Sequence, residues 1–187
     1  MKPTHLIVGL GNPEGKYFQT WHNLGFLCVE QITPDFKKKG NQLLGEYEKS
    51  LILKPLTYMN LSGQAVIAAS RKHKIAPENI IVILDDVNIE IGNIRIAFGG
   101  SSGGHNGLKS ITNLLGTDKY LRVRIGCKPE KEPHNMADYV LAKIPKELRT
   151  QIDEAIDKAK TAAVELASGE KLEIIQGRYN TKNAKNN

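Results

Sequence analysis

Apolar positions along this chain follow two rhythms. Residues 5–10 (HLIVGL) and 80–84 (IIVIL) are unbroken apolar runs, the pattern of strands covered on both faces. Leu44 to Lys54 alternates loosely through Tyr47, Leu51 and Leu53, which predicts one or two strands with an exposed face, ended by Pro55. Residues 93–98 (NIRIAF) put Arg95 and Ala97 on one face and Ile94, Ile96 and Phe98 on the other. Residues 120–127 (YLRVRIGC) set Arg122 and Arg124 against Leu121, Val123 and Ile125, as in an edge face in water or a phosphate-contacting surface. Helical spacing follows Asn23 through Leu24, Phe26/Leu27 and Ile32, with Thr20 or His22-Asn23 able to cap it. It returns over 64–74, where Ala65, Ala68 and Ala69 keep the packed face small. It is longest from Pro145, with Leu148, Ile152, Ala155/Ile156, Ala159, Ala163 and Leu166 in step until Ser168-Gly169. The lysines of 37–41 (KKKGN) and the mixed charges of 128–136 (KPEKEPHNM) predict loops, and Asp138 to Ile144 a helix turn or a short strand.

Strands and helices alternate, so the expected fold is α/β, a three-layer sandwich with a mixed, mostly parallel twisted sheet flanked by helices. With 187 residues and 40% hydrophobic content the chain can bury one substantial core, and one domain over 1–187 is expected. The residues after Gly177 carry Arg178, Lys182 and Lys185 without an acid and read as a basic, frayed tail over about 178–187. The net charge of +6 favours a polyanionic partner without naming one. Cys28 and Cys127 lack metal-like or CxxC spacing and suit buried thiols in a reducing compartment. No run reaches the roughly 18 apolar residues of a membrane span, and no signal-peptide core follows the N-terminus, so a cytoplasmic protein without a membrane partner is expected.

Several polar residues fall where strands end. The first apolar run delivers Asn12 in a Gly-Asn-Pro turn, and His22 follows at a helix start, where it could equally be a packed cap. Asn60 precedes the second helix and is also open to a capping role. Asp85 follows five branched apolar residues, a position that desolvates a carboxylate unless something pairs with it. The loop 99–104 (GGSSGG) empties into His105, Asn106 and Lys109, and such glycine density suits close approach of a ligand. GLGNPE fails the dinucleotide GxGxxG test because Glu14 stands where glycine is needed, and Gly104-His105 fails the Walker test. No serine sits in a GxSxG elbow and no histidines have HExxH spacing, so neither a serine nucleophile nor a metal is expected. A His–Asp pair that activates water, beside amides that recognise peptide groups, points to hydrolysis.

Four motifs occur together and in one order: VGLGNP with Tyr17 and HNLGF (22–26), YMNLSG (58–63), Asp85-Asp86 after an apolar strand, and GGSSGGHNGLKS (99–110). The chain resembles the bacterial-type peptidyl-tRNA hydrolases in these motifs and over nearly its whole length. That resemblance implies a monomeric enzyme without cofactor. Its substrate would be peptidyl-tRNA, cut at the ester between the peptide and the tRNA 3′-terminal ribose. It implies His22 as the base and Asp85 as its partner. Asn12, Tyr17, Met59, Asn60, His105 and Asn106 would meet the substrate, and Arg95, Lys109 and Arg124 the tRNA acceptor arm and its 5′-phosphate. The chain departs from the family in three places. Trp21 replaces an arginine before the base, Ala97 a phosphate-clamping lysine and Asn88 a carboxylate, and no residue is transferred from the lid-like 128–136. The alternatives are a catalytically inactive RNA-binding protein of the same fold, or a different hydrolase or nucleotide-binding enzyme.

Overall fold

The computed structural model describes residues 2–180. Seven strands form one sheet, β1 (His5–Gly9), β2 (Lys37–Lys38), β3 (Gln42–Tyr47), β4 (Ser50–Pro55), β5 (Ile80–Asp86), β6 (Ile94–Phe98) and β7 (Leu121–Gly126), in the order β2-β3-β4-β1-β5-β7-β6. The four central strands β4, β1, β5 and β7 are parallel, and the pairs β2–β3, β3–β4 and β6–β7 are antiparallel. The two unbroken apolar runs are β1 and β5, adjacent at the centre of the sheet and buried as their composition predicts.

Among the described residues there are six α-helices: α1 (Leu24–Glu30), α2 (Ser62–His73), α3 (Asn106–Leu115), α4 (Met136–Val140), α5 (Arg149–Ala167) and α6 (Leu172–Tyr179). Side chains alternate across the strands, and the alternation feeds two cores. Ile7, Ile81 and Ile83 pack with α1 and α5 on one face, whereas Leu6, Val8, Val82 and Leu84 pack with α2 and α3 on the other. Asp85 continues the odd-numbered series of β5 and therefore faces the α1 side, where His22 waits.

Two glycines decide how closely α1 approaches. A Cβ on Gly25 would lie 2.3 Å from the Leu10 nitrogen and 2.4 Å from the Ile83 oxygen, and one on Gly9 would lie 2.3 Å from the Gly25 oxygen. With no side chain at either position, the first turn of α1 rests directly on the ends of β1 and β5. Phe26 N–H donates to Leu10 O at 3.2 Å and Leu10 N–H to Ile83 O at 3.0 Å across this seam.

Four expectations change. Lys37 and Lys38 form an edge strand rather than a loop, where exposed lysines discourage pairing with another chain. β4 is buried along its whole length, so only β3 has an exposed end. No side chain caps α1: Thr20 Oγ1 donates to Tyr17 O, and Asn23 is engaged elsewhere. Of the expected frayed tail, Arg178 and Tyr179 close α6, and Asn180 bonds both the N–H and C=O of Ile96 (2.7 and 2.9 Å) and so covers the β6 edge. Residues 181–187, with Lys182 and Lys185, lie outside the described residues.

Gly25→Ala should cost about 2–3 kcal/mol, or roughly 5–10 °C in Tm, because the added methyl meets backbone on both sides. Gly177→Ala in α6, where a Cβ meets nothing within 4 Å, should leave Tm unchanged or slightly raised. Thermal unfolding of the two variants checks this, and equal stabilities would contradict the close approach.

Candidate active site

The C-terminal ends of the parallel strands open into a cleft of about 550 Å³. At its floor the Asp85 carboxylate, with its side chain 2% exposed, lies between two imidazoles. His22 Nδ1 is 3.0 Å from both carboxylate oxygens, and His105 Nε2 is 2.9 Å from Oδ1. The two rings are tilted by 46° to each other, with 4.9 Å between centroids.

The neighbours fix both tautomers. His105 is the N-cap of α3, and its Nδ1 accepts from the N–H groups of Gly107 (3.1 Å) and Leu108 (3.4 Å). That nitrogen carries no proton, so Nε2–H donates to Asp85. His22 offers Nδ1 to an acceptor-only carboxylate, so Nδ1 holds the proton and Nε2 keeps a bare lone pair. Burial by itself would raise the Asp85 pKa, but the two histidines outweigh it and hold the carboxyl well below the usual carboxylate range. Burial would likewise lower His22, and the Asp85 charge and hydrogen bond reverse that and raise its pKa above the ordinary value. A bare imidazole nitrogen with this backing can take a proton from water near neutral pH.

His22, Asp85 and His105 also stand close enough to share a metal ion, their ligand atoms all lying within 4.8 Å of one another. The donor chemistry does not fit one. To ligate through Nε2, His105 would need a proton on Nδ1, which would then oppose two backbone N–H donors.

Asn12 is brought in by a lock formed within the first motif. Asn23 Oδ1 accepts from the Asn12 N–H and Asn23 Nδ2 donates to the Asn12 oxygen, both at 2.9 Å. Asn12 Oδ1 in turn accepts from the Met59 N–H at 3.0 Å, which leaves its Nδ2 as a donor to the cleft. Met59, Asn60 and Asn106 join it in the lining. Asn60 sits in a 3₁₀ turn and caps nothing. Tyr17 does not border the cleft; its ring lies under Lys16 Nζ at 4.9 Å, and Tyr58, tied to Glu14 through its hydroxyl, stands at the rim instead.

The three cations occupy different settings. Arg124 borders the cleft with its Nη1 3.4 Å from Asp86 Oδ2, and strand register sets Arg95 directly opposite it on β6. Lys109 is exposed on α3, outside the lining. Arg122 is no surface group: β7 lies inside the sheet and the side chain is fully buried.

Two contributors escaped the sequence reading. α4, from the segment whose residues were left unassigned, supplies an apolar wall through Met136, Ala137 and Val140. Trp21 holds that wall: it is 2% exposed and its ring stacks on Tyr139 at 5.8 Å, while its main-chain N–H donates to Ala142 O. The aromatic pair Trp21 and Tyr139 was visible in the sequence, but nothing local joins residues this far apart.

The comparisons with known proteins show the family. The peptidyl-tRNA hydrolase family profile matches residues 6–187. A peptidyl-tRNA hydrolase of Alkaliphilus oremlandii is 42% identical over 186 residues, covering 94% of this chain and 99% of its own. That of Clostridium acetobutylicum is 41% identical over 184 residues, covering 94% and 97%. Among solved structures, the peptidyl-tRNA hydrolase of Acinetobacter baumannii superposes with a TM-score of 0.86 at 35% identity over 95% of each chain. Together with a floor made of His22, Asp85 and His105, these matches establish that the chain belongs to the peptidyl-tRNA hydrolase family.

Proposed function

We propose that this chain releases tRNA from peptidyl-tRNA by direct attack of water, with His22 as general base and Asp85 as its partner. The observation that carries the roles is the bare Nε2 of His22, backed through Nδ1 by a buried carboxylate at 3.0 Å. A water bound at Nε2 gives its proton to the imidazole as its oxygen adds to the ester carbonyl. Asp85 stabilises the imidazolium so formed and stays ionised. Collapse of the tetrahedral intermediate breaks the bond to the ribose oxygen, which takes the proton back from His22. An ester has a better leaving group than an amide, so no covalent intermediate is required. Base assistance contributes about 10²–10⁴-fold.

Positioning supplies the rest. Asn12 Nδ2, Asn60 and Asn106 offer amide donors and acceptors to the peptide backbone and the water, and Met59 packs beside them. His105 acts here on Asp85 as well as lining the substrate. Tyr17 would have to serve the substrate from outside the cleft. Arg95, Arg124 and Lys109 are assigned to the acceptor arm. With Ala97 at the clamp position and Arg122 buried, Arg95 and Arg124 are the cations that register brings together for the 5′-phosphate. The chain would act as a monomer in the cytoplasm, where tRNA is used; no helix among the described residues is long and apolar enough to cross a membrane. An inactive RNA-binding role is not favoured, since the residues needed for chemistry are all present and bonded.

Purified protein should hydrolyse N-acetyl-aminoacyl-tRNA and spare unblocked aminoacyl-tRNA, and His22→Ala should lose at least about 10²-fold in kcat with tRNA affinity nearly intact. Hydrolysis of neither ester, or of both alike, would overturn the assignment. Arg124→Ala should weaken tRNA binding and reduce the slope of log K against log salt by about 1. Titration of binding at several salt concentrations checks this, and an unchanged slope would place the phosphate contact elsewhere.

A further inference from the structure

The glycine-rich loop 99–104 forms a wall of the cleft, and its shape depends on a side chain that the reaction does not use. Arg122 on β7 is 0% exposed. Its Nη1 donates to Ser101 O and its Nη2 to Gly100 O, both at 2.6 Å, while the guanidinium stacks over Tyr120 at 4.8 Å. Its Nε has no partner. From the other side the Asp118 carboxylate accepts the Gly100 N–H at 2.9 Å. Burying a guanidinium is costly, and directing it at two consecutive main-chain carbonyls fixes the backbone between them.

Geometry then dictates where the donors of those peptides go. In a planar trans peptide the N–H points opposite to the C=O. Drawing the Gly100 and Ser101 carbonyls onto Arg122 therefore turns the N–H groups of Ser101 and Ser102 away from it. Gly100, at φ +106°, permits this turn where a side chain would be strained. Ser101 and Ser102 both border the cleft, and among the described residues neither N–H is bonded within the protein. Two adjacent amide donors turned toward the cleft make an anion site.

We infer that Arg122 is a positioning residue that presents the Ser101 and Ser102 N–H groups to a phosphodiester of the tRNA strand bearing the ester. This rests on the reading of the cleft as the seat of the tRNA 3′ end. The strand carrying the ester must enter the cleft that holds His22, so its last phosphodiester is the anion brought nearest to this loop. The 5′ end is under no such constraint. Arg122 itself stays behind the loop and touches no substrate.

Two short substrates test it: N-acetyl-aminoacyl-adenosine with and without a 5′-phosphate. The wild type should prefer the phosphorylated one by about tenfold in kcat/KM, and Arg122→Met should bring the ratio close to one. A merely structural arginine would lower both rates together and keep the ratio, which would overturn the inference. A second measurement needs no turnover. Titration of the wild type with the trinucleotide CCA should shift the Ser101 and Ser102 amide resonances downfield, and Arg122→Met or Arg122→Lys should blunt those shifts. Unmoved amides in wild type that binds CCA, or no binding of CCA at all, would refute the anion site. Failure of the wild type to cleave N-acetyl-aminoacyl-tRNA would refute the hydrolase reading by itself, and the amide shifts would still decide the loop. Should Arg122→Met not fold, Arg122→Lys, which can reach only one carbonyl, replaces it in both assays.

Discussion

A carboxylate held almost dry between two imidazoles is the constraint around which this molecule is arranged. An isolated buried carboxylate would take up a proton; Asp85 stays ionised because His22 and His105 both donate to it. The two bonds differ in consequence. His105 is locked as a donor by the α3 N–H groups behind it, so it steadies the charge and has no lone pair to offer. His22 has only the cleft behind it. One acid thus assigns opposite duties to two identical side chains, and the second shell of backbone donors makes the difference.

Meeting at one point requires three separate pieces of chain to converge within hydrogen-bond distance. Asp85 arrives rigidly, as the end of the most apolar strand. His22 arrives because α1 lies flush on the sheet, which the bare backbones of Gly9 and Gly25 allow. His105 arrives at the exit of a glycine-rich loop, and a loop of that composition has no shape of its own. Arg122 beneath it and Asp118 beside it provide the shape. On the opposite side Trp21, the residue before the base, stacks on Tyr139 and so ties the apolar α4 wall to the same turn that carries His22.

The elements read well from the sequence wherever one rhythm ran long enough. The runs 5–10 and 80–84, and the α5 periodicity from Leu148 to Leu166, gave the right structure and the right buried face. That Asp85 needs a partner was legible too, since a carboxylate ending a buried strand is desolvated, whereas the choice of His22 came with the family resemblance. What failed to read was set by distant neighbours. Alternation along β7 put Arg122 and Arg124 on one face but could not tell that β6 and the loop would cover Arg122 and leave Arg124 at the cleft. Asn23 looked like a cap, yet its amide bridges to Asn12, because the chain turns back there. Lys37 and Lys38 carry no apolar signal, and their strand exists only because β3 lies alongside. Asn180 likewise orders its segment through a bond to Ile96 that no local pattern announces.

The central claim is a statement about protons on two rings, and ring nitrogen shifts report it directly. In ¹⁵N NMR of the wild type at pH above the His22 transition, His22 should show the Nδ1–H tautomer and His105 the Nε2–H tautomer. His22 should titrate above the ordinary histidine value of about 6.5. Its protonated form is favoured by the Asp85 charge, so removing that charge in Asp85→Asn should move the transition to lower pH. An Nε2–H tautomer at His22, or a transition unmoved by Asp85→Asn, would contradict the account.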